Sequence, residues 1–372
     1  MGHPSVLGKA VVTLAALGLL AACSSSASPS APASAAAAAS APAASAPSSV
    51  ASSAPAASAA AAASAAPAAS ATTGKITIAF NMGAEADPFF IAMNVGAAAE
   101  AKALGVTLIW QGDPSQYSPA TQIPIVDQLL AEHPSALIIS PTDPTALQPA
   151  VDQAIAAGIP VVNVDTHVND LSKVLSFITG DNQQGGEAAA DAMAAAMHYT
   201  AGQTYQVVVG MSSPTTTTNV ARLAGFKAEI AAKYPGIKIM SVAYSQSVAA
   251  TANTNVNNWL TEYPNLKGIF AIDGTNATGA AAALQGRSLV GKVALVGYDA
   301  YSTDVALLQK GVFAALIAQQ PALEGKMAVQ DVVQYLRSGS AAGIQHEVTL
   351  PNIVLTPKSS PATLAKYTYP TA

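Results

Sequence analysis

From residue 75 onward the chain alternates two textures. Short, unbroken apolar runs rich in Val and Ile predict strands at 75–80, 106–110, 136–139, 161–164, 174–178, 205–209, 237–242, 268–272, 293–297 and 314–318. Ala-rich stretches with helical spacing predict helices at 88–104, 118–132, 144–157, 185–199, 220–233, 250–263, 276–285, 303–310 and 322–337. Within the first of these, Phe90, Met93, Ala97, Ala101 and Leu104 form one stripe facing a core, and Phe89 falls off its centre. Strands that are apolar on both faces and separated by helices belong to parallel sheets covered on both sides. Ten such strands exceed what one doubly wound sheet usually carries, so the pattern predicts an α/β protein of two similar doubly wound lobes.

In that architecture ligands bind where the chain leaves the carboxyl ends of the strands. These ends read "ADPFF" (86–90), "SPTD" (140–143), "VDTH" (164–167), "TGDNQQGG" (179–186), "GMSSPTTTTN" (210–219), "IDGTNATG" (272–279), "VGYDAYSTD" (296–304) and "AQQP" (318–321). Carboxylates, amides and hydroxyls recur there, a set suited to a small polyhydroxylated ligand whose hydroxyls donate to carboxylates and accept from amides. Asp87 before Pro88 also reads as a helix start, with Asp at the N-cap and Pro in the first turn, and the two roles are compatible.

The first 74 residues differ from the rest. A basic start (Lys9), a short apolar run and small residues up to Ala22 have the layout of an export signal, 1–22. "LAAC" (20–23) resembles the lipobox of bacterial lipoproteins, which implies cleavage before Cys23, lipidation of its sulfur and a lipid anchor to the membrane. Cys23 is the single cysteine, so it has no partner for an internal disulfide. From there to Gly74 the chain is almost purely Ala, Ser and Pro, which cannot build a core and reads as a tether standing the folded body off the membrane. The charge balance is mild, net −5, without a basic stripe, and gives no support to nucleic-acid binding.

The strand-end motifs "DPFF", "ALIISPTD", "GIPVVNVDT", "ITGDNQQGG", "ARLAGF", "GIFAIDGTNATGAAAAL", "VALVGYDA" and "AALIAQQP" occur in the order found in the ribose/galactose class of solute-binding proteins of ABC sugar importers, and the body from 75 to about 356 resembles that family. The resemblance implies a type I periplasmic binding protein fold: two lobes joined by three crossings and closing on a ligand. It implies one lobe of 75–180 plus 319–349 and another of 181–318 plus 350–372. It places ligand contacts at Asp87, Phe89, Phe90, Ser140, Asp165, Thr166, Asn219, Arg222, Asp273, Asp299 and Gln319, with the two Phe sandwiching a sugar ring and Asp165 gripping hydroxyls. The chain departs from ribose binders at Asp87 and Asp273, where they carry Asn, and at Thr166 and Val220, where they carry Arg.

Several enclosed carboxylates with few guanidiniums repel one another and resist burial. Water enters the pocket, some of the Asp turn away, or the ligand supplies donors. The expected ligand is a neutral polyol, a sugar or sugar alcohol; an amino-bearing molecule is the variant. The resemblance further implies a monomer, an ABC permease as partner, no cofactor and no enzymatic activity, outside the cytoplasmic membrane or in a periplasm. A ligand-presenting sensor partner for a nucleoside or signalling furanose is the alternative. A lactose-type repressor shares the body, but begins with a DNA-binding motif where this chain begins with an export signal. "GRSLVGKV" (286–293) lies between a helix and a strand, the reverse of a phosphate-binding loop, and the five scattered histidines show no metal-ligand spacing.

Overall fold

The computed structural model of the chain describes residues 74–371. The export signal, Cys23 and the tether lie outside the described residues apart from Gly74. In the first lobe, β1 (Thr77–Ala84), β2 (Thr107–Asp113), β3 (Ala136–Ile139), β4 (Val161–Val164) and β5 (Ser176–Gly180) alternate with α1 (Pro88–Leu104), α2 (Pro119–Ala131) and α3 (Gln148–Ala156). The second lobe repeats the plan with β6 (Tyr205–Met211), β7 (Ile237–Tyr244), β8 (Leu266–Ala271), β9 (Ala294–Tyr298) and β10 (Ala315–Ala318), and with α4 (Asn182–Ala196), α5 (Thr217–Lys233), α6 (Ala249–Glu262), α7 (Gly274–Gly286) and α8 (Ser302–Gln309). Then follow α9 (Pro321–Ser338), β11 (Glu347–Leu350), β12 (Ile353–Leu355) and α10 (Pro361–Tyr367).

The sheets run β11-β5-β4-β3-β1-β2 and β12-β10-β9-β8-β6-β7, the same order twice. In each, the chain winds outward in both directions from its first strand, and the crevice at that switch point is where a doubly wound sheet takes its ligand. All ten predicted strands are present. β11, β12 and α10 are additions, and β12 is antiparallel to β10, so the second sheet carries one antiparallel edge on an otherwise parallel order. Glu347 and Thr349 of β11 are exposed and β12 is three residues long, so neither shows the unbroken apolar run that marks the inner strands. Two helices start three residues earlier than the pattern predicts: Asp181 caps α4 through a bond from Gln184 N at 3.0 Å, and α5 begins within the Thr run, bringing Asn219 into its first turn.

The chain passes between the sheets three times, from β5 to α4, from β10 to α9 and from β11 to β12. Side chains tie these crossings together. Asn352 donates to Asp181 O at 2.5 Å, Gln320 to Pro351 O at 3.0 Å, and Asp181 N bonds Leu350 O at 2.8 Å.

With few aromatics available, small residues let helices approach closely. At the crossing of α4 and α5, a methyl on Gly186 would overlap the carbonyl of Arg222, and one on Gly225 would overlap that of Gln183. The same contact fixes the turn of α5 that carries Arg222 into the cleft. Gly186→Ala is therefore expected to lower stability by about 1–3 kcal/mol through overpacking, read from urea unfolding; an unchanged midpoint would show that the helices can separate freely.

Candidate functional site

The carboxyl ends of both sheets face a cleft lined by residues of both lobes. Asp87, Phe89, Phe90 and Asp165 line it from the first lobe, and Asn219, Arg222, Asp273 and Asp299 from the second, with Gln319 at the second crossing. Contacts join the lobes directly. Tyr301 Oη donates to Asp87 Oδ1 at 2.5 Å, and His167 N to Thr217 Oγ1 at 3.3 Å.

Asp87 both caps α1, accepting from Phe89 N at 2.9 Å, and faces the cavity. Phe89 and Phe90 are both buried, edge to face with ring centroids 5.3 Å apart. Phe90 heads the core stripe as the pattern predicts and stacks on Tyr117 at 6.4 Å, while Phe89 meets the ring of Tyr369 at 6.1 Å. The off-centre Phe is thus held by an aromatic neighbour from the other end of the chain.

Asp165 and Asp299 occupy equivalent places, one at the end of β4 and the other at the end of β9. Both have left-handed backbone, φ 59° and 71°. Each backbone N–H bonds the carbonyl of the neighbouring strand, Ile178 O and Ile317 O, at 2.8 Å. Non-glycine residues at positive φ are uncommon, and Asp is among the more tolerant because its short polar side chain bonds locally. In both lobes this turn aims a carboxylate into the cleft.

The neighbouring elements supply the donors for the acidic groups. Asp273 caps α7, taking Asn276 N at 2.9 Å and Asn276 Nδ2 on both oxygens at 2.9 Å. Asp299 accepts from Gly274 N at 2.8 Å on one oxygen, and from Gln319 Nε2 at 2.6 Å and Tyr369 Oη at 3.0 Å on the other. Neutral donors of the protein itself thus meet Asp87, Asp273 and Asp299. Arg222, 2% exposed, reaches the cavity wall but spends its bonds inside the lobe, with Nε on Asn182 Oδ1 at 2.8 Å and Nη1 on Ile272 O at 3.0 Å. Its guanidinium lies 3.7 Å over the ring of Tyr298. Asn219 accepts from Ser212 N at 2.9 Å and Ser212 Oγ at 2.7 Å, which leaves its amide nitrogen for other partners.

Two of the expected contacts stand behind the wall of the cleft rather than in it. Ser140 and Thr166, 0% and 1% exposed, do not line the cavity. Their hydroxyls bond each other at 3.0 Å, and Thr166 donates to Pro141 O at 2.7 Å, so they support the wall from behind. Gln122 packs deeper still, donating to Asn81 Oδ1 at 2.8 Å and Ser140 O at 2.9 Å while accepting from Thr142 N at 2.8 Å; it knits the ends of β1 and β3 together. Val220 is 46% exposed and plays no part in the wall. Sequence reasoning missed Tyr117, Ser212, Thr216, Thr218, Ser247, Thr275 and Tyr301. Five of these, all but Tyr117 and Ser247, lie inside the strand-end segments already singled out, so position at the strand end was the usable signal.

Burial raises the carboxyl of Asp87 from 3.8 to about 7; Tyr301 and Phe89 N–H pull it back, while Asp299 and Asp273 push it further. Burial likewise raises Asp165, against the pull of Arg222, and raises Asp273. Between 3.8 and about 7 folded Asp87 keeps a proton that the unfolded chain has lost, so its contribution to stability is present at low pH and falls as pH rises through that window. The thermal midpoint of the ligand-free protein is expected to fall between about pH 5 and about pH 7.5, and Asp87→Asn to make the fall shallower. An identical slope in the variant would remove Asp87 from that role.

Residues 78–340 match the model of the periplasmic binding protein domain. The chain is 31% identical over 272 residues to the D-ribose/D-allose-binding protein of Pseudomonas aeruginosa, covering 71% of this chain and 83% of that one. It is 31% identical over 285 residues to the ribose import binding protein of Escherichia coli, covering 75% and 91%. The structure is similar to an ABC transporter solute-binding protein from Agrobacterium vitis bound with α-D-tagatopyranose, with a TM-score of 0.74, 32% identity, and coverage of 80% of this chain and all of that one. With its two repeated lobes, three crossings and a cleft at both switch points, the chain belongs to the periplasmic binding protein family, in its type I form.

Proposed function

We propose that this protein is the extracytoplasmic solute-binding component of an ABC importer, anchored to the membrane through Cys23, and that it captures a small neutral polyol between its lobes and delivers it to the permease. The observation that carries this reading is the composition of the cleft wall: two buried aromatic rings beside carboxylates oriented by neutral donors. Sugar hydroxyls donate to carboxylates in charge-assisted bonds, and the apolar face of a sugar ring packs on an aromatic ring. The relatives that bind ribose, allose or tagatopyranose share this ligand chemistry.

The ligand bridges the lobes. Asp87, Phe89 and Asp165 hold it from one side, and Asp273, Asp299 and Arg222 from the other. Only a ligand in contact with both sides binds the closed form better than the open one, and that difference drives closure. The lobes themselves are proposed to comprise 75–180 with 319–349, and 181–318 with the tail. Carboxylates in place of Asn at 87 and 273, and the absence of Arg at 166 and 220, are read as tuning the pocket away from ribose.

Calorimetric titration against pentoses, hexoses, sugar alcohols and anionic sugars is expected to give tight binding to a neutral polyol. Binding confined to anionic ligands would overturn the reading. Phe89→Ala is expected to weaken that binding by at least about tenfold, from the lost ring contact of about 1.5–3 kcal/mol. In a bacterial host the full chain is expected in the membrane fraction, with a lipid-bearing peptide starting at Cys23 by mass spectrometry, and Cys23→Ser to appear in the soluble extracytoplasmic fraction. Retention of the variant on the membrane would exclude the lipid anchor.

A further inference from the structure

The C-terminal segment contributes to the cleft from the far end of the chain. β12 lies along β10, α10 follows, and the chain then turns back so that Tyr369 N bonds Ala300 O at 2.9 Å, beside the strand end that carries Asp299. Tyr369 is 3% exposed, with its ring 6.1 Å from Phe89 of the first lobe and 6.1 Å from Tyr301 of the second. Its hydroxyl accepts from Gln319 N at 3.0 Å and donates to Asp299 Oδ1 at 3.0 Å. One phenol thus joins the second crossing, the cleft carboxylate and the aromatic wall.

Asp299 needs such a donor. Arg222 is the guanidinium of the cleft wall, and its assigned bonds go to Asn182 and Ile272. The Oδ1 of Asp299 is shared by the Gln319 amide and Tyr369, and without the phenol the backbone N–H of Gln319 loses its acceptor as well. Burial holds the Tyr369 phenol well above its ordinary pKa, so it stays a donor at any working pH. A carboxylate fixed in advance by its own protein spares the ligand the cost of ordering it.

We propose that Tyr369 is a positioning residue of the ligand site, which fixes Asp299 and Gln319 for the ligand and backs Phe89 from the C-terminal tail. This rests on the reading of the cleft as a polyol site. The test is a double-mutant cycle of Tyr369→Phe and Asp299→Ala, read both in the Kd of the polyol that binds the wild type and in urea unfolding of the ligand-free protein. Tyr369→Phe is expected to raise Kd about tenfold in the wild-type background and less than about twofold when Asp299 is already Ala. An unchanged Kd, or the same fold-change in both backgrounds, would overturn the proposal. If no polyol binds the wild type, the polyol reading fails by itself, and the ligand-free cycle decides the positioning role. There the two substitutions are expected to be non-additive, and additivity would overturn it.

Discussion

The cost of enclosing carboxylates governs this cleft. Four aspartates converge on one cleft, with a single arginine among the residues lining it. Removed from water, each anion must find donors or take up a proton, and like charges at close range aggravate the cost. The structure meets this mainly with neutral groups: a tyrosine hydroxyl on Asp87, an asparagine amide and helix N–H on Asp273, and a glycine N–H, a glutamine amide and a tyrosine hydroxyl on Asp299. Asp87, Asp165 and Asp273 nonetheless shift upward, so the closed cleft holds its acids under strain that a hydroxyl-rich ligand relieves by donating to them.

The lobes solve the placement problem in the same way. In each, the fourth strand of its α/β winding ends in an Asp at positive φ whose N–H is tied to the next strand. The turn is conformationally costly for an L-residue, and it persists because the surrounding sheet fixes it. The repetition matters for closure: two rigid turns approach from opposite sheets, so the ligand's grip depends on the angle between lobes rather than on mobile loops. That angle is set at three crossings linked by Asn352 and Gln320, with Gln319 reaching from the second crossing into the site itself.

Much of this was legible in the sequence because inner parallel strands are apolar on both faces and the residues just beyond them must face the crevice. Nine of the eleven expected contacts line the cavity, eight of them from those strand ends and Arg222 from within α5. Ser140 and Thr166 stand behind the wall because position along a strand end does not say whether a hydroxyl points outward or bonds its neighbours, and here Thr166 donates to Pro141 O and its hydroxyl oxygen is free to accept from Ser140. β11 and β12 were missed because short edge strands with exposed faces carry no continuous apolar signal. Tyr301 lies within a recognised segment, yet its partner Asp87 is 214 residues away, and no local pattern reports such a pairing.

Tyr301 makes the carboxylate at 87 intelligible. Asp in place of Asn at 87 would be a poor exchange with only the first lobe in view, since α1 can offer it just one N–H. The second lobe brings a phenol to that carboxylate only when the cleft is closed. The pair therefore offsets part of the cost of closing the cleft over Asp87, and burial still outweighs it, since the carboxyl rises to about 7. An Asn amide at 87 would accept the same phenol in a neutral, weaker bond without burying charge. Whether such a receptor gains depends on how many hydroxyls a ligand can turn toward the other three carboxylates, which ties the choice of residue at 87 to the proposed polyol ligand.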